Sequence, residues 1–385
     1  MKIIFFENSS QKGGSLQSLN LICKHLADDH CITRIFANYK PGEIEEPENQ
    51  KNVYVSQQTK LSHYLTAICL KINSYVNFSP LVKLSNLFER HQVDKFREVI
   101  EQENPDLIIY NNPPHIDRQA IKAAEMHTAK QICHLRLSIF KSIYKESYFN
   151  SLLDKKIDMY IANSYSIADN WAENWGLSER NLSVVHNSID MDQARGKSET
   201  IESIVEDKKK THVCCVGRVN NAKGQEFLIK TFIEQKERLL DFTLTIIGDG
   251  READRLKKLV EDSEFGEQVK LLGRMDKAKQ YMHYFDISVV PSKFEPFGNV
   301  VLEWMNFSVP VVATNSGGPA EIITNEIDGL LFDYGDKNGL VEALLRLRDD
   351  QDLYKKIAEN GLGNVERNFS ESAFMDKLKN HYFSA

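Results

Sequence analysis

The stretch Glu295-Pro296-Phe297-Gly298-Asn299-Val300-Val301-Leu302-Glu303 follows a short apolar run that ends in Val290-Pro291-Ser292, and it opens a helical pattern. A glycine-containing turn at the start of a helix exposes backbone N–H groups that have no partner within the helix. The helix dipole adds partial positive charge at the same end. Such an end can hold a diphosphate. The two carboxylates repel phosphate, so hydroxyls of a sugar and of a ribose are their predicted partners.

Outward from this stretch, short apolar runs alternate with helical patterns along the whole chain, which is typical of parallel α/β layers. In the first half the predicted strands are Lys2–Phe6, Ile32–Phe36, Leu107–Tyr110, Gln131–His134, Met159–Ala162 and Ser183–His186. In the second half they are His212–Val216, Thr243–Ile247, Val269–Leu272, Ile287–Val290 and Val309–Ala313. Helices are predicted at Ser15–Leu26 and Asp94–Gln102.

The length of 385 residues predicts two domains. The polar segment Asp190–Lys210 indicates a hinge between two similar halves, and a surface loop within one large sheet is the alternative. We predict a Rossmann-like acceptor domain over residues 1–190 and a Rossmann-like donor domain over residues 191–370. An amphipathic helix at about 371–385 is predicted to pack back on the first domain. Two such domains facing each other would place the carboxyl ends of their strands around one central cleft.

Composition excludes several classes of protein. Apolar residues make up 42% and charged residues 27% of the chain, which indicates a folded globular protein. The net charge of −7 argues against a nucleic-acid partner. The six cysteines lack metal-type spacing and are predicted to be reduced thiols. Since no stretch approaches the roughly 20 apolar residues of a transmembrane helix, we expect a cytoplasmic protein that meets the inner face of the plasma membrane only peripherally.

Basic residues upstream fit the same chemistry. Val216-Gly217-Arg218 ends a predicted strand, and Lys223-Gly224 precedes a helical pattern. Arginine binds phosphate through a planar fork and lysine binds it as a point charge, so Arg218 and Lys223 form a candidate phosphate clamp. The alternative is that both are solvated loop charges.

With these motifs, the C-terminal half of the chain resembles the family 4 retaining glycosyltransferases, which have the two-domain GT-B fold. Their two glutamates separated by seven residues are matched by Glu295 and Glu303. Five further motifs match in order, namely Val216-Gly217-Arg218 with Lys223-Gly224, Ile247-Gly248-Asp249-Gly250, Leu272-Gly273-Arg274, Pro291-Ser292 and Ser316-Gly317-Gly318-Pro319-Ala320-Glu321. The resemblance is close over residues 211–336 and looser elsewhere.

The resemblance implies a catalytic role for several of these side chains. Arg218 and Lys223 would neutralise the donor diphosphate, and Gly217 beside them would belong to the substrate site. Glu303 would bind the ribose hydroxyls, and Glu295 would hold hydroxyls of the transferred sugar.

The resemblance also implies how the rest of the donor is held. Backbone N–H groups at Phe297, Gly298 and Asn299 would lie near the sugar and the phosphates. The segment Leu272–Met275, with Arg274 and Met275, would lie against the base, for which uridine is the expected choice. Because basic side chains and a helix end neutralise the charge, no metal and no further cofactor is expected.

One motif indicates a different cofactor class. Gly248-Asp249-Gly250 follows a predicted strand, as the glycine-rich turn of a nicotinamide-binding fold does, but Ala253 stands where the third glycine belongs. We interpret the motif as a structural turn.

The first half of the chain contains two candidate functional features, a glycine-containing loop and a histidine at a strand end. Gln11-Lys12-Gly13-Gly14-Ser15 leads into a helix, and the resemblance implies that Gly13 and Gly14 face substrate. A plain turn with a serine cap is the alternative. His134 ends a predicted strand where the family has a sugar-contacting histidine, so it is a predicted catalytic residue, although a lone histidine is often structural. Arg136 and His115 are weaker candidates.

The stretch 59–97 is basic and rich in apolar side chains. Its composition suits an anionic membrane surface or a lipid-linked acceptor. The alternative is a helical insert whose apolar face packs on the domain.

Taken together, these features predict a metal-independent retaining glycosyltransferase with a nucleoside-diphosphate sugar donor and a glycan, lipid-linked or protein-linked acceptor. A nucleotide-sugar epimerase, or a phosphorylase, on the same scaffold is one alternative, and a catalytically silent binding subunit is another.

Overall fold

The computed structural model describes residues 1–8, 14–37, 39–45, 49–55, 79–139, 157–177, 181–264 and 266–384. The chain divides into two compact units, which are described separately below. Unit 1 comprises Met1–His186 together with Lys377–Ala385, and unit 2 comprises Asn187–Asp376.

Unit 1 is built on a parallel sheet. Its strands are β1 (Lys2–Glu7), β2 (Cys31–Phe36), β3 (Gln50–Tyr54), β4 (Leu107–Tyr110), β5 (Lys130–Leu135), β6 (Met159–Ala162) and β7 (Leu182–Val184). Among the described residues they stand in the order β3-β2-β1-β4-β5-β6-β7. The order reverses direction between β1 and β4, which pair in register from Ile3 with Leu107 to Phe6 with Tyr110.

The central strands of unit 1 are continuous apolar runs because helices cover both faces of a parallel sheet. Residues 3–6 of β1 and all of β4 are buried. The described helices are α1 (Gly14–Leu26), α2 (Ser79–Glu103), α3 (Pro114–Ala123) and α4 (Tyr165–Trp175). Helix α4 begins where the Ser164 hydroxyl accepts from the N–H of Ile167, and it ends at Gly176 in the left-handed conformation.

Unit 2 repeats the same design. Its strands are β8 (Thr211–Val216), β9 (Phe242–Ile247), β10 (Val269–Leu271), β11 (Ile287–Val290), β12 (Val311–Thr314) and β13 (Leu330–Phe332), all parallel. They stand in the order β10-β9-β8-β11-β12-β13, with the reversal between β8 and β11. Both reversals are the topological switch points at which open α/β sheets bind ligands.

The helices of unit 2 follow its strands. They are α5 (Glu199–Ile204), α6 (Gln225–Glu234), α7 (Ala253–Glu261), α8 (Asn299–Asn306), α9 (Gly318–Ile322), α10 (Lys337–Asp349) and α11 (Gln351–Asn368), and short 3₁₀ turns cover Asn221–Lys223, Gly266–Gln268 and Ala278–Tyr284. The helix α12 (Glu371–Phe383) starts within unit 2, and its last residues belong to unit 1.

The prediction of two α/β units with parallel sheets is confirmed. Two strands, β3 and β13, were not predicted from the sequence. The strand β3 carries polar residues at an edge, and β13 is only three residues long. The segment Asp190–Lys210, which its polar composition predicts to be a hinge or a surface loop, contains a short helix that contributes to the core. Its helix α5 starts at the Ser198 cap and buries Ile201, with Val205 buried just beyond it, so this segment is partly core.

The basic stretch 59–97 is only partly described. Residues 59–78 lie outside the described ranges, and residues 79–97 belong to α2. Toward its end α2 buries Val93 and Phe96, and the Phe96 ring meets Phe6 edge-on at 5.2 Å. This part of α2 therefore packs on the sheet, and contact with a membrane stays a prediction. No helix in the described part of the chain is long and apolar enough to cross a membrane.

Candidate active site

The switch point of unit 2 carries the predicted donor residues. The loop after β8 holds Arg218 and Lys223, and the loop after β11 holds Ser292 and Glu295. Because β8 and β11 are neighbours and parallel, both loops leave the sheet at the same edge.

Lys223 and Glu295 form an ion pair across these loops. Glu295 is 7% exposed, and its carboxylate Oε2 also accepts from the hydroxyl of Ser292 at 3.1 Å. The carbonyl of Ser292 in turn accepts from Thr314 at 2.6 Å. Glu295 is therefore held in place by a charge and a hydroxyl, and the side chain of Lys223 is 31% exposed.

Glu303 has a second lysine partner, which sequence analysis missed. It lies on α8, is 7% exposed and pairs with Lys279 in the turn Ala278–Tyr284. Both predicted glutamates thus carry an ammonium partner from a different segment. Lys279 has no motif around it, so only the packing of its turn beside α8 reveals it.

The start of α8 has the geometry expected of an anion-binding end. Its N-cap residue is Gly298, with φ 95°, which has no side chain to cap the exposed N–H groups. The Phe297 side chain is buried in the core of unit 2, so only its backbone can face a ligand. The side-chain oxygen of Asn299 accepts from Asn187 at 3.1 Å. Contact of these residues with sugar and phosphate stays a prediction.

The motif Ser316-Gly317-Gly318-Pro319 packs against the backbone of the loop that contains Glu295 and Phe297. A Cβ added to Gly317 would lie 2.2 Å from the carbonyl oxygen of Glu295, and one added to Gly318 would lie 1.9 Å from that of Phe297. The N–H of Gly318 donates to the carbonyl of Glu295 at 2.8 Å. The glycines are therefore required because two backbones approach closely.

The Gly248-Asp249-Gly250 motif has a similar explanation. A Cβ on Gly248 would lie 1.9 Å from the carbonyl oxygen of Gly217, and one on Gly250 would lie 2.1 Å from that of Val219. The motif packs against the loop that follows β8, which supports its interpretation as a structural turn.

Of three other predicted donor residues, two are exposed and one packs on the core. Arg218 is exposed, and its carbonyl accepts from Gln225 at 3.0 Å. Arg274 has a side chain 82% exposed, with its Nε 3.9 Å from Asp276. Met275 packs against the core of unit 2. The predicted roles of Arg218, Gly217, Arg274 and Met275 toward a donor stay predictions.

The switch point of unit 1 holds a buried polar cluster that sequence analysis missed. Glu7 ends β1 with no exposed surface, and it accepts from the side-chain amides of Asn111 and Asn112, which follow β4. Ser15, near the start of α1, lies with its hydroxyl 3.5 Å from Glu7. Asn111 and Asn112 follow the predicted strand Leu107–Tyr110 directly, which was the available signal.

His134 belongs to the same cluster. It is 3% exposed at the end of β5, and both ring nitrogens have partners: Nδ1 lies 3.0 Å from Nη2 of Arg136, and Nε2 lies 2.8 Å from the hydroxyl of Tyr382. Burial, and then the guanidinium of Arg136, hold the pKa of His134 well below its usual range. A direct role of this ring in transfer stays a prediction.

Of the remaining candidates of unit 1, the structure describes Gly14 and His115. Gly13 lies outside the described residues, and Gly14 is the exposed first residue of α1. His115 stacks on Trp171 at 6.1 Å, and burial and Arg118 lower its pKa to about 4. Within the described ranges no group of three or more His, Cys, Asp or Glu side chains could hold a metal ion.

Asp117 is a fully buried carboxyl beside Glu7, and it accepts from the N–H of Asn112 at 2.9 Å. Burial and the charge of Glu7 raise its pKa well above the usual value. The unfolded chain ionises first, so stability falls as pH rises, by about 1.4 kcal/mol per pH unit until the folded-state pKa is reached. We expect Asp117→Asn, which keeps the acceptor, to stabilise the protein increasingly as pH rises.

Urea unfolding at about pH 5 and about pH 8 checks this expectation. The control is Asp158→Asn, since Asp158 also accepts from a backbone amide, at 2.7 Å, but is exposed. A gain for Asp117→Asn that does not grow with pH would contradict a buried neutral carboxyl.

Comparison with known proteins follows the two units. Residues 12–193 match the family model described as Glycosyltransferase Family 4, and residues 196–363 match the one described as Glycosyl transferases group 1. The lipopolysaccharide core biosynthesis glycosyltransferase LpsE of Rhizobium meliloti is 34% identical over 164 residues, which are 43% of this chain and 47% of the relative.

A second relative is the N-acetylgalactosamine-N,N'-diacetylbacillosaminyl-diphospho-undecaprenol 4-alpha-N-acetylgalactosaminyltransferase of Campylobacter jejuni. It is 28% identical over 222 residues, which are 55% of this chain and 59% of the relative. The chain thus spans about half the length of the curated relatives it matches.

The whole fold is similar to that of HepE from Anabaena, solved in complex with UDP. The TM-score is 0.79 at 21% identity, over 99% of both chains. HepE has also been solved with UDP-glucose, and with UDP and glucose. With both family models matched in the order of the two units, and with a fold shared with HepE, the chain belongs to the family 4 type of glycosyltransferases with the GT-B fold.

Proposed function

We propose that the protein is a glycosyltransferase that moves a sugar from a UDP-linked donor to an acceptor hydroxyl with retention of anomeric configuration. The observation that carries the proposal is the Lys223–Glu295 ion pair beside the uncapped start of α8. The complexes of HepE with UDP and UDP-glucose support the choice of uridine.

In this proposal each part of the donor meets a group of matching chemistry. The diphosphate lies against the ammonium of Lys223, the guanidinium of Arg218 and the N–H groups at the start of α8. The buried carboxylate of Glu295 accepts from sugar hydroxyls, and that of Glu303 accepts from ribose hydroxyls. Because Glu295 and Lys223 already touch, sugar and diphosphate would be bound on either side of one ion pair.

The transfer step exchanges one C–O bond for another. The bond from the anomeric carbon to the diphosphate breaks as the acceptor oxygen bonds to that carbon from the same face. The leaving diphosphate takes up the acceptor proton, and Lys223 and Arg218 stabilise its charge. The protein's part is to hold charges where they develop, so no metal ion is required.

For the acceptor we propose a chemical class and not a particular molecule. The names of LpsE and of the Campylobacter relative refer to a lipopolysaccharide core and to a diphospho-undecaprenol-linked sugar. We extend to this chain only the class they share, a glycan or lipid-linked hydroxyl acceptor. The basic stretch 59–97 is the proposed contact with the inner membrane surface.

Thermal unfolding with nucleoside diphosphates tests the donor site directly. With a chelator present, we expect UDP to raise the free energy of unfolding by about 2.7 kcal/mol at 100 times its dissociation constant. Lys223→Ala should abolish most of this gain, because the diphosphate loses its point charge. Lys230→Ala is the matched control, since Lys230 is a lysine of the same unit whose carboxylate partner, at 2.8 Å, is Glu226.

Each part of the proposal can fail separately. A gain that requires added metal contradicts metal independence, and an inverted product contradicts retention. If no nucleotide stabilises the wild type, the silent binding subunit becomes the better explanation. Donor conversion without any acceptor would indicate an epimerase.

A further inference from the structure

A chain of buried hydrogen bonds joins the end of the polypeptide to the start of α1 within unit 1. Tyr382, on α12, is 1% exposed, and its hydroxyl lies 2.8 Å from Nε2 of His134. Nδ1 of His134 lies 3.0 Å from Nη2 of Arg136. Arg136 also donates to Asn111, from Nε to the carbonyl at 3.2 Å and from Nη2 to the side-chain oxygen at 3.1 Å.

The direction of each hydrogen bond follows from the donors. A guanidinium can only donate, so Nδ1 of His134 must accept from Arg136. Since the ring is buried beside a positive charge, it is neutral and carries a single proton. That proton is on Nε2, and the hydroxyl of Tyr382 accepts it.

Beyond Arg136 the series of hydrogen bonds continues to Ser15, which belongs to the loop that is predicted to face substrate. The side-chain amide of Asn111 donates to the carbonyl of Ser15 at 2.9 Å and to Glu7. Ser15 is the second residue of α1, directly after Gly13 and Gly14. Tyr382 is therefore connected, through His134, Arg136 and Asn111, to the first turn of α1.

Tyr382 is itself firmly anchored. The ammonium of Lys130 donates to the carbonyls of His381, Tyr382 and Ser384, at 3.2, 3.4 and 2.8 Å. These carbonyls end a helix, where a cation is favourable. A fixed backbone gives the Tyr382 hydroxyl a fixed position, as a positioning group requires.

We propose that Tyr382 is a positioning residue of the acceptor-side unit: it fixes the ring of His134 and, through Arg136 and Asn111, the start of α1. Tyr382 acts through these residues and does not itself touch substrate. Its effect on transfer rests on the proposed function, whereas the hydrogen-bond arrangement does not.

The test compares Tyr382→Phe with Tyr354→Phe in the full chain. Tyr354 is a matched control because its hydroxyl likewise makes one hydrogen bond, but in unit 2, where it donates to the carbonyl of Asp286 at 2.9 Å. Nuclear magnetic resonance of ¹⁵N-histidine-labelled wild type should show His134 neutral, with its proton on Nε2 and protected from exchange. Tyr382→Phe should lose that protection, and Tyr354→Phe should keep it.

Steady-state kinetics of the same variants measure whether the position of the His134 ring affects sugar transfer. Leaving the buried Nε2–H without an acceptor should lower kcat about tenfold. The KM for the UDP-sugar should not change, because the proposed donor residues are in unit 2. A purely structural role would lower the unfolding midpoint and leave the kcat of the folded protein unchanged.

The outcomes separate the two proposals. A proton on Nδ1 in the wild type, or full protection in Tyr382→Phe, overturns the positioning role. So does an unchanged kcat together with lost protection. If the wild type transfers no sugar at all, the proposed function has failed, and the resonance measurement alone decides how His134 is held.

Discussion

Replacing Glu295 with glutamine is expected to lower the kcat for sugar transfer by about 10²–10³-fold, with the protein still folded. The carboxylate of Glu295 is buried and held by Lys223 and Ser292, so its charge has a fixed position and little solvent to screen it. Glutamine keeps the shape but presents a neutral amide, whose N–H₂ group would meet the ammonium of Lys223 or the sugar hydroxyls as a competing donor.

The measurement is steady-state transfer from UDP-sugar, with UDP affinity measured in parallel. Lys223 remains, so Glu295→Gln should still bind UDP. Glu326→Gln is the matched control, because Glu326 is also paired with a cation of unit 2, Arg346 at 2.7 Å, but on the surface. Wild-type kcat in Glu295→Gln would remove Glu295 from the proposed site, whereas loss of UDP binding alone would reassign it to the nucleotide.

The second large effect is on stability. We expect Gly318→Ala to destabilise unit 2 by about 3 kcal/mol or more. The added Cβ would lie 1.9 Å from the carbonyl oxygen of Phe297 and 2.3 Å from its Cα. These are backbone atoms, so the segment from Glu295 to Gly298 must move, and the hydrogen bond from Gly318 to Glu295 would be disturbed.

Gly335→Ala provides the comparison within the same unit. Gly335 has φ 95°, and a Cβ there would meet nothing within 4 Å, so its substitution costs only the left-handed conformation, about 1–2 kcal/mol. Hydrogen exchange of β11 and β12 across a urea series reports on unit 2 separately from unit 1. Equal losses for the two variants would mean that the close contact at Gly318 relaxes at little cost.

A donor site could be predicted from the sequence because the features that indicate it are local. Glu295, Gly298 and Glu303 lie within one turn and helix, and each has a chemical reason to be where it is. Lys223 was predicted for the same reason, since a lysine beside a glycine after a strand is typical of phosphate sites. Its contact with Glu295 was not deducible, because it depends on β8 and β11 being neighbours.

The polar cluster of unit 1 had a weaker signal in the sequence, namely polar residues directly after predicted strands. Glu7, Asn111 and Tyr382 come from the start, the first third and the end of the chain, and none is part of a motif. His134 was noticed by its position at a strand end, but its partners were not. A side chain of α12 reaches it only because the last residues of the chain fold onto unit 1.

By itself, then, the sequence determined the parallel α/β class and predicted the residues of a donor motif, because apolar runs and glycine-containing turns are set by neighbours along the chain. The tertiary structure alone decided which polar side chains meet: Lys223 with Glu295, Lys279 with Glu303, and Tyr382 with His134. The physical reason is that strand order and helix docking bring distant segments together, and periodicity along the chain specifies neither of them.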